Sequence, residues 1–247
     1  MLVSIRGHSL YYEISGPGDG PAVVLLHHGL GSVRAWRSQV PALTAAGFQV
    51  LAYDRWGYGA SDARPSLSMP YFEDDQEDFC ALIDQLGLKQ FSLVGHSDGG
   101  TIALYLAARL PQQVRRLVTI AAHIYIEPKM ILTFPAFREQ FEHDEAFRIG
   151  LGRVHGEKYE SLFNSWLNGW TQESYFRWDM RSLLGAITCP ALVVQGKQDE
   201  YATAQHAYDL ADGLPGSDLW LVPGARHMLP QENADILNPK LVEFLKQ

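Results

Sequence analysis

Gly95-His96-Ser97-Asp98-Gly99 is the stretch whose reading decides the fold. An apolar, strand-like run from Phe91 to Val94 leads into it, and a helix-like run from Thr101 to Arg109 follows. A Gly-x-Ser-x-Gly between strand and helix makes a tight turn that presents the serine hydroxyl at its apex. A side chain at either flanking glycine would collide with neighbouring backbone. The turn also aims the Asp98 amide at the spot where a substrate oxyanion would form. Five residues with three fixed arise by chance, so the surrounding chain must carry the reading.

The periodicity outside this turn alternates between strand and helix. Leu2 to Ile5 and Leu10 to Ile14 read as a hairpin turning near Gly7-His8. Ala22 to Leu26, Phe48 to Tyr53, Phe91 to Gly95, Val114 to Ala121, Ala191 to Gly196 and Leu219 to Val222 are apolar runs of buried strands. Between them lie helix-like segments, Trp36 to Ala45 and Tyr71 to Leu86 among them. Such alternation implies a mostly parallel α/β sheet with crossover helices.

One segment breaks the pattern. Between residues 123 and 185 no buried strand is evident, yet twelve aromatics crowd it: Tyr125, Phe134, Phe137, Phe141, Phe147, Tyr159, Phe163, Trp166, Trp170, Tyr175, Phe176 and Trp178. Phe163, Trp166 and Trp170 share a helix face. The expected organisation is a core in two parts, 1–122 and 186–247, with a helical cap or lid over 123–185. Most of these rings seal such an insertion onto the core. Trp166, Trp170 and Tyr125 are the candidates for touching a substrate.

Composition bounds the partners. The chain has 247 residues, 47% of them hydrophobic. No apolar run approaches the roughly 20 residues of a membrane span, so no membrane association is expected. Met1 to Arg6 lacks the charged and apolar regions of a signal peptide, which points to the cytoplasm. Cys80 and Cys189 match no metal-ligand spacing and read as free thiols. A net charge of −8 argues against nucleic acid as a partner. No cofactor and no metal are implied, and nothing speaks to the oligomeric state.

Reactive groups of an α/β sheet gather beyond the carboxyl ends of its strands. Asp199 lies just past Ala191 to Gly196, and His227 just past Leu219 to Val222. The chain order Ser97, Asp199, His227 is one of the known orders of a serine triad. His227 would take the proton of Ser97, and Asp199 would orient the ring. Glu127, beyond the strand ending at Ala121, is an alternative carboxylate. His27-His28-Gly29-Leu30-Gly31-Ser32 follows the early buried strand, and Leu30 is the candidate second oxyanion donor beside Asp98. His27 and His28 have no third ligand nearby at metal-binding spacing.

These motifs, together with Tyr53-Asp54-Arg55-Trp56-Gly57-Tyr58-Gly59-Ala60-Ser61-Asp62, resemble the α/β-hydrolase fold of the capped serine-hydrolase kind. They run from residue 28 to 227 in the family's order. The resemblance implies an eight-stranded, mostly parallel sheet with one antiparallel strand near its start and a helical cap between strands 6 and 7. It also implies a serine hydrolase that cleaves small-molecule carboxylic esters through an acyl-enzyme. Asp54 and Gly57-Tyr58-Gly59 are expected to hold a loop rather than react. The serine itself argues against relatives whose nucleophile is aspartate or cysteine.

Asp98 is the unusual feature, since many relatives carry an apolar residue after the serine. Amino-acid-ester hydrolases that resemble this chain have aspartate there and hold the substrate amine with it. The alternative is a helix cap, where a carboxylate suits the macrodipole. Two other readings stand beside the ester hydrolase: a carbon–carbon bond hydrolase of ring-cleavage dienones, and a non-catalytic ligand-binding member of the fold.

Overall fold

A computed structural model describes all residues from Met1 to Gln247. Eight strands form one sheet in the order β1-β2-β4-β3-β5-β6-β7-β8. They are β1 (Leu2–Ile5), β2 (His8–Ser15), β3 (Ala22–Leu26), β4 (Gln49–Tyr53), β5 (Phe91–His96), β6 (Val114–Ile120), β7 (Ala191–Gly196) and β8 (Asp218–Val222). β2 runs antiparallel to both of its neighbours, and every pairing from β4 to β8 is parallel. The helices are α1 (Gln39–Ala45), α2 (Glu73–Gln85), α3 (Asp98–Arg109), α4 (Pro128–His143), α5 (Glu145–His155), α6 (Tyr159–Trp170), α7 (Gln205–Gly213), α8 (Leu229–Glu232) and α9 (Ala234–Lys246).

The two-residue period of each strand sorts its side chains to opposite faces. Val23, Leu25, Val50, Val94, Val118 and Leu192 pack against α1, α8 and α9. Val24, Leu26, Leu51, Leu93, Leu117 and Val193 face α2, α3 and α7. Burial on both faces explains why these strands read as unbroken apolar runs. Helices α4, α5 and α6 form a continuous stretch between β6 and β7, and their aromatics join the second of these cores.

Two helix starts differ from the sequence expectation. Instead of one helix from Trp36, a 3-10 turn spans Val33–Trp36 and α1 begins at Gln39. Pro41 explains the break, because a proline is tolerated only in a helix's first turn. Ser32 closes the 3-10 turn by accepting the Arg34 N–H at 3.2 Å. Helix α2 begins at Glu73 rather than Tyr71, with Glu73, Asp74 and Asp75 in its first turn, where carboxylates oppose the helix dipole.

Two close approaches fix the loops at the carboxyl edge of the sheet. Asp54 accepts the Val33 and Ala60 N–H groups, each at 2.7 Å, and so ties the loop after β3 to the loop after β4. At the second, helix α3 rests on the end of β3: a Cβ on Gly99 would stand 2.0 Å from the Leu26 oxygen and 2.7 Å from that of His27. Gly99→Ala is therefore expected to cost about 3 kcal/mol, the upper range for overpacking. A lowered midpoint in urea denaturation checks this, and an unchanged midpoint would mean that α3 lifts off β3 freely.

Candidate active site

Ser97, Asp199 and His227 come from the loops after β5, β7 and β8, far apart in sequence but together at one sheet edge. The Nε2 of His227 lies 3.0 Å from the Ser97 Oγ, and its Nδ1 lies 2.8 Å from the Asp199 Oδ2. All three side chains are buried. Asp199 also accepts from the Gln195 Nε2 at 2.8 Å and from the N–H groups of Tyr201 and Ala202 at 2.8 and 3.1 Å. Burial alone would push its carboxyl up, but the His227 imidazole and these donors hold it well below the usual carboxylate range. An ionised Asp199 sets the His227 tautomer: Nδ1–H donates to the carboxylate, and Nε2 is left to accept a hydrogen bond from the Ser97 hydroxyl.

Ser97 has φ of 54° and ψ of −122°, a left-handed backbone that a non-glycine residue holds only under constraint. The glycines supply that constraint by allowing contact. A Cβ on Gly95 would stand 2.2 Å from the Gly99 oxygen, so the strand and helix close up on either side of the serine. Leu30, in the loop after β3, is also left-handed, with φ of 58°. Its N–H has no hydrogen-bond partner. Asp98 is the first residue of α3, and its N–H has no acceptor within the helix.

A cavity of about 230 Å³ opens at Ser97 and His227. Leu30, Met130, Phe134, Phe137, Phe147, Leu151, Trp166, Trp170 and Tyr201 make most of its wall apolar. Asp98 and His123 add polar groups to the wall. The carboxylate of Asp98, in the first turn of α3, makes no hydrogen bond to the helix backbone. It turns instead to the cavity, where Oδ2 accepts the indole N–H of Trp166 at 3.0 Å. Oδ1 makes no hydrogen bond and lies 3.6 Å from the His123 Nε2, and Arg55 stands 3.8 Å from Oδ2. Burial pushes the Asp98 carboxyl up, and Arg55 and Trp166 oppose this in part. Gly29 makes the pairing possible, because a Cβ there would fall 2.5 Å from the Trp166 nitrogen and 2.7 Å from the Asp98 oxygen.

The structure brings Trp166 and Trp170 to the cavity but not Tyr125. Tyr125 stacks on His206 at 4.2 Å, with Arg181 over its ring, and its backbone bridges to Asp179. Tyr201 and His123 are cavity residues that the sequence did not single out. Tyr201 meets the His227 ring edge-on at 4.9 Å. Its position two residues after Asp199 was the available signal.

Glu127 does not reach His227. It accepts the Thr203 N–H at 2.5 Å and the Thr203 hydroxyl at 2.8 Å, with His206 at 3.5 Å. Burial opposes its ionisation, yet His206 and Thr203 pull its carboxyl down to about 2. Lys129 donates to the carbonyls of Asp199 and Ala202 at 2.5 and 3.2 Å. Both residues thus brace the loop that carries Asp199. His27 and His28 turn their Nδ1 atoms to the His28 and Gly29 carbonyls, at 2.8 and 2.6 Å.

Strand order, a serine in a strained strand-to-helix turn and a histidine on its hydroxyl define an α/β-hydrolase-fold serine hydrolase. The comparisons agree: the family described as "alpha/beta hydrolase fold" matches residues 21–157. The chain is 32% identical over 250 residues to serine hydrolase BPHL of Mus musculus, covering 99% of this chain and 85% of that protein, with the same figures for BPHL of Homo sapiens. The crystal structure of the enol-lactonase from Burkholderia xenovorans LB400 superposes with a TM-score of 0.80 at 25% identity, over 100% of both chains. This chain belongs to the α/β-hydrolase family and is a hydrolase. No helix is long and apolar enough to cross a membrane.

Desolvated imidazoles make the fold sensitive to acid. Desolvation lowers the half-buried His28 and the buried His155 to about 4 and the buried His123 to about 3, against an ordinary value of 6.5. Below pH 6.5 the unfolded chain takes up protons that the folded chain refuses, so stability falls as pH drops from 6.5 toward 4. The depressed carboxyls of Asp199 and Glu127 add their loss only at lower pH. Urea midpoints are expected to decline between pH 7 and 4.5, and a flat profile would contradict the burial of these rings.

Proposed function

We propose that this protein hydrolyses small carboxylic esters through an acyl-serine intermediate and prefers acyl groups that carry an amine. The observation that carries the reading is the hydrogen-bonded series Ser97–His227–Asp199 opening on an apolar cavity with one buried carboxylate, Asp98, at its end.

The Ser97 Oγ adds to the ester carbonyl as its proton passes to the Nε2 of His227. Asp199 holds the ring and offsets the charge it gains. The N–H groups of Leu30 and Asp98 receive the oxyanion, each donor contributing on the order of 3 kcal/mol to transition-state stabilisation. Collapse breaks the carbon–oxygen bond to the alcohol, which leaves with the proton from Nε2. Water then repeats the sequence, with His227 as base, and frees the acid and Ser97.

Helices α4, α5 and α6 act as the cap and supply the acyl pocket. Its volume is about 230 Å³, and a dry cavity of about 150 Å³ holds a benzene molecule. One ring-sized acyl side chain therefore fits with room to spare. An acyl amine would meet the Asp98 Oδ1, which has no other hydrogen bond. The ammonium in turn favours the ionised carboxylate, so ionisation and binding reinforce each other.

Matched p-nitrophenyl esters, one with an α-amine and one with a methyl in its place, test this. Wild type is expected to favour the amine by roughly tenfold or more in kcat/KM, the worth of one hydrogen bond to a charged group. Ser97→Ala is expected to abolish both reactions, and Asp98→Asn to erase the preference while sparing the methyl ester. Equal loss on both esters in Asp98→Asn would remove the amine role.

Asp199→Asn separates the two carboxylates. The drop expected for a wrong histidine tautomer is about 10⁴-fold in kcat. Glu127→Gln should lose far less, because it acts only through the loop. Comparable losses would move the orienting role to Glu127.

A further inference from the structure

His155 is the last residue of α5, in the helical segment, yet its ring lies among the loops at the sheet edge and is 3% exposed. Its Nδ1 is 2.9 Å from the Gly59 backbone nitrogen, and its Nε2 is 2.9 Å from the Leu30 carbonyl oxygen. A backbone N–H only donates and a carbonyl only accepts. These two contacts therefore allow a single tautomer, with the proton on Nε2 and the lone pair on Nδ1. Burial agrees, since it holds the ring neutral down to about pH 4.

The partner of Nε2 is what gives the contact consequence. The bond from His155 is the one hydrogen bond made by the Leu30 backbone. Leu30 sits at φ 58°, a conformation that is strained for a non-glycine residue and persists only where neighbours impose it. Two further contacts dock the same end of α5: Arg34 donates to the Arg153 carbonyl at 3.0 Å, and Lys158 donates to the Ser61 carbonyl. The Gly59 end is itself fixed, since its loop is tied to Asp54.

We propose that His155 is a positioning residue for the oxyanion hole, holding Leu30 in the left-handed conformation that leaves its N–H free for the substrate oxyanion. The proposal rests on the serine-hydrolase reading above and on Leu30 as a donor. It makes the helical segment part of the catalytic frame, because the strain at Leu30 is maintained from α5. A donor displaced by such a loss acts on the transition state far more than on bound substrate.

The test compares wild type with His155→Phe and His155→Gln on the p-nitrophenyl amino ester, and measures inhibition by a boronic acid that forms a tetrahedral adduct on serine. Phenylalanine keeps the ring volume and removes both hydrogen bonds. Glutamine can accept from Gly59 and donate to Leu30. His155→Phe is expected to lose about 10- to 100-fold in kcat with KM within about twofold, and boronic acid affinity should weaken in parallel. His155→Gln should recover kcat to within about fivefold of wild type. A raised KM with unchanged kcat, or equal losses in both variants, overturns the proposal. If His155→Phe does not fold, the folded Gln variant decides alone: near-wild-type kcat and boronic acid affinity uphold the proposal, and a kcat loss without weaker boronic acid binding overturns it. A wild type that neither hydrolyses the ester nor takes the boronic acid on Ser97 defeats the serine-hydrolase reading itself, and this proposal with it.

Discussion

Helix α3 begins where strand β3 ends, and the two backbones touch because residue 99 has no side chain. A Cβ on Gly99 would overlap the Leu26 carbonyl oxygen at 2.0 Å, and one on Gly95 would overlap the Gly99 oxygen at 2.2 Å. This contact forces the sharp turn at Ser97, with its φ of 54°. It also sets the amide of Asp98 beside the loop that carries Leu30. The rest of the site follows from strand order. β5, β7 and β8 end at the same edge, so the loops after them bring a serine, a carboxylate and an imidazole within 3.0 Å of one another in series. Strain of this kind persists only where packing over-determines it. Here the packing is that of a sheet buried on both faces.

The electrostatics of the site show how a buried carboxylate beside the serine is tolerated. Asp98 is 1% exposed, and an isolated charge there would be strongly disfavoured. Arg55 stands 3.8 Å from it and also pairs with Asp75 at 3.2 Å, and Asp75 takes Arg64 at 2.9 Å. Two guanidinium groups thus face two buried carboxylates, and their formal charges cancel. Removing one partner from such a series costs more than the series contributes, because it strands the other charge. The Asp98 carboxylate is therefore held by the loop after β4 and by Trp166 of α6, while its Oδ1 stays free toward the cavity. The half-buried His28 and the buried His123 and His155 remain neutral and add no competing positive charge to this end.

Which parts of this were legible in the sequence follows from the range of each signal. The strands were legible because two-sided burial leaves continuous apolar runs. Ser97, Asp199 and His227 were legible because each falls just past such a run. Trp166 and Trp170 belong to a helical stripe, so periodicity placed them on one inner face. Tyr125 does not: it sits in the extended stretch before α4, where no period says which way a ring turns, and His206 captured it. The cap reading of Asp98 was reasonable for an acidic residue in the first turn of a helix, where the structure places it. What no local pattern carried is that the Trp166 indole, 68 residues away, donates to its carboxylate. His123 and His155 carry no local pattern at all. The partners of His155 lie 96 and 125 residues distant in the chain.

The cavity wall has two origins with different mechanical standing. Its polar groups come from strand ends and the tight loops after them, where hydrogen bonds to backbone leave little freedom. Most of its apolar surface comes from α4, α5 and α6, with Leu30 and Tyr201 added from the loops after β3 and β7. Polar groups and apolar wall are in this way drawn largely from separate segments. That separation is incomplete at two places. Trp166 reaches from α6 to Asp98, and His155 reaches from α5 to Leu30. A substitution that repacks these helices therefore reaches the reacting centre through two hydrogen bonds, one to the carboxylate proposed to hold the amine and one to the peptide proposed to hold the oxyanion. The apolar wall and the surroundings of the serine are coupled by geometry, even though the two are built from different parts of the chain.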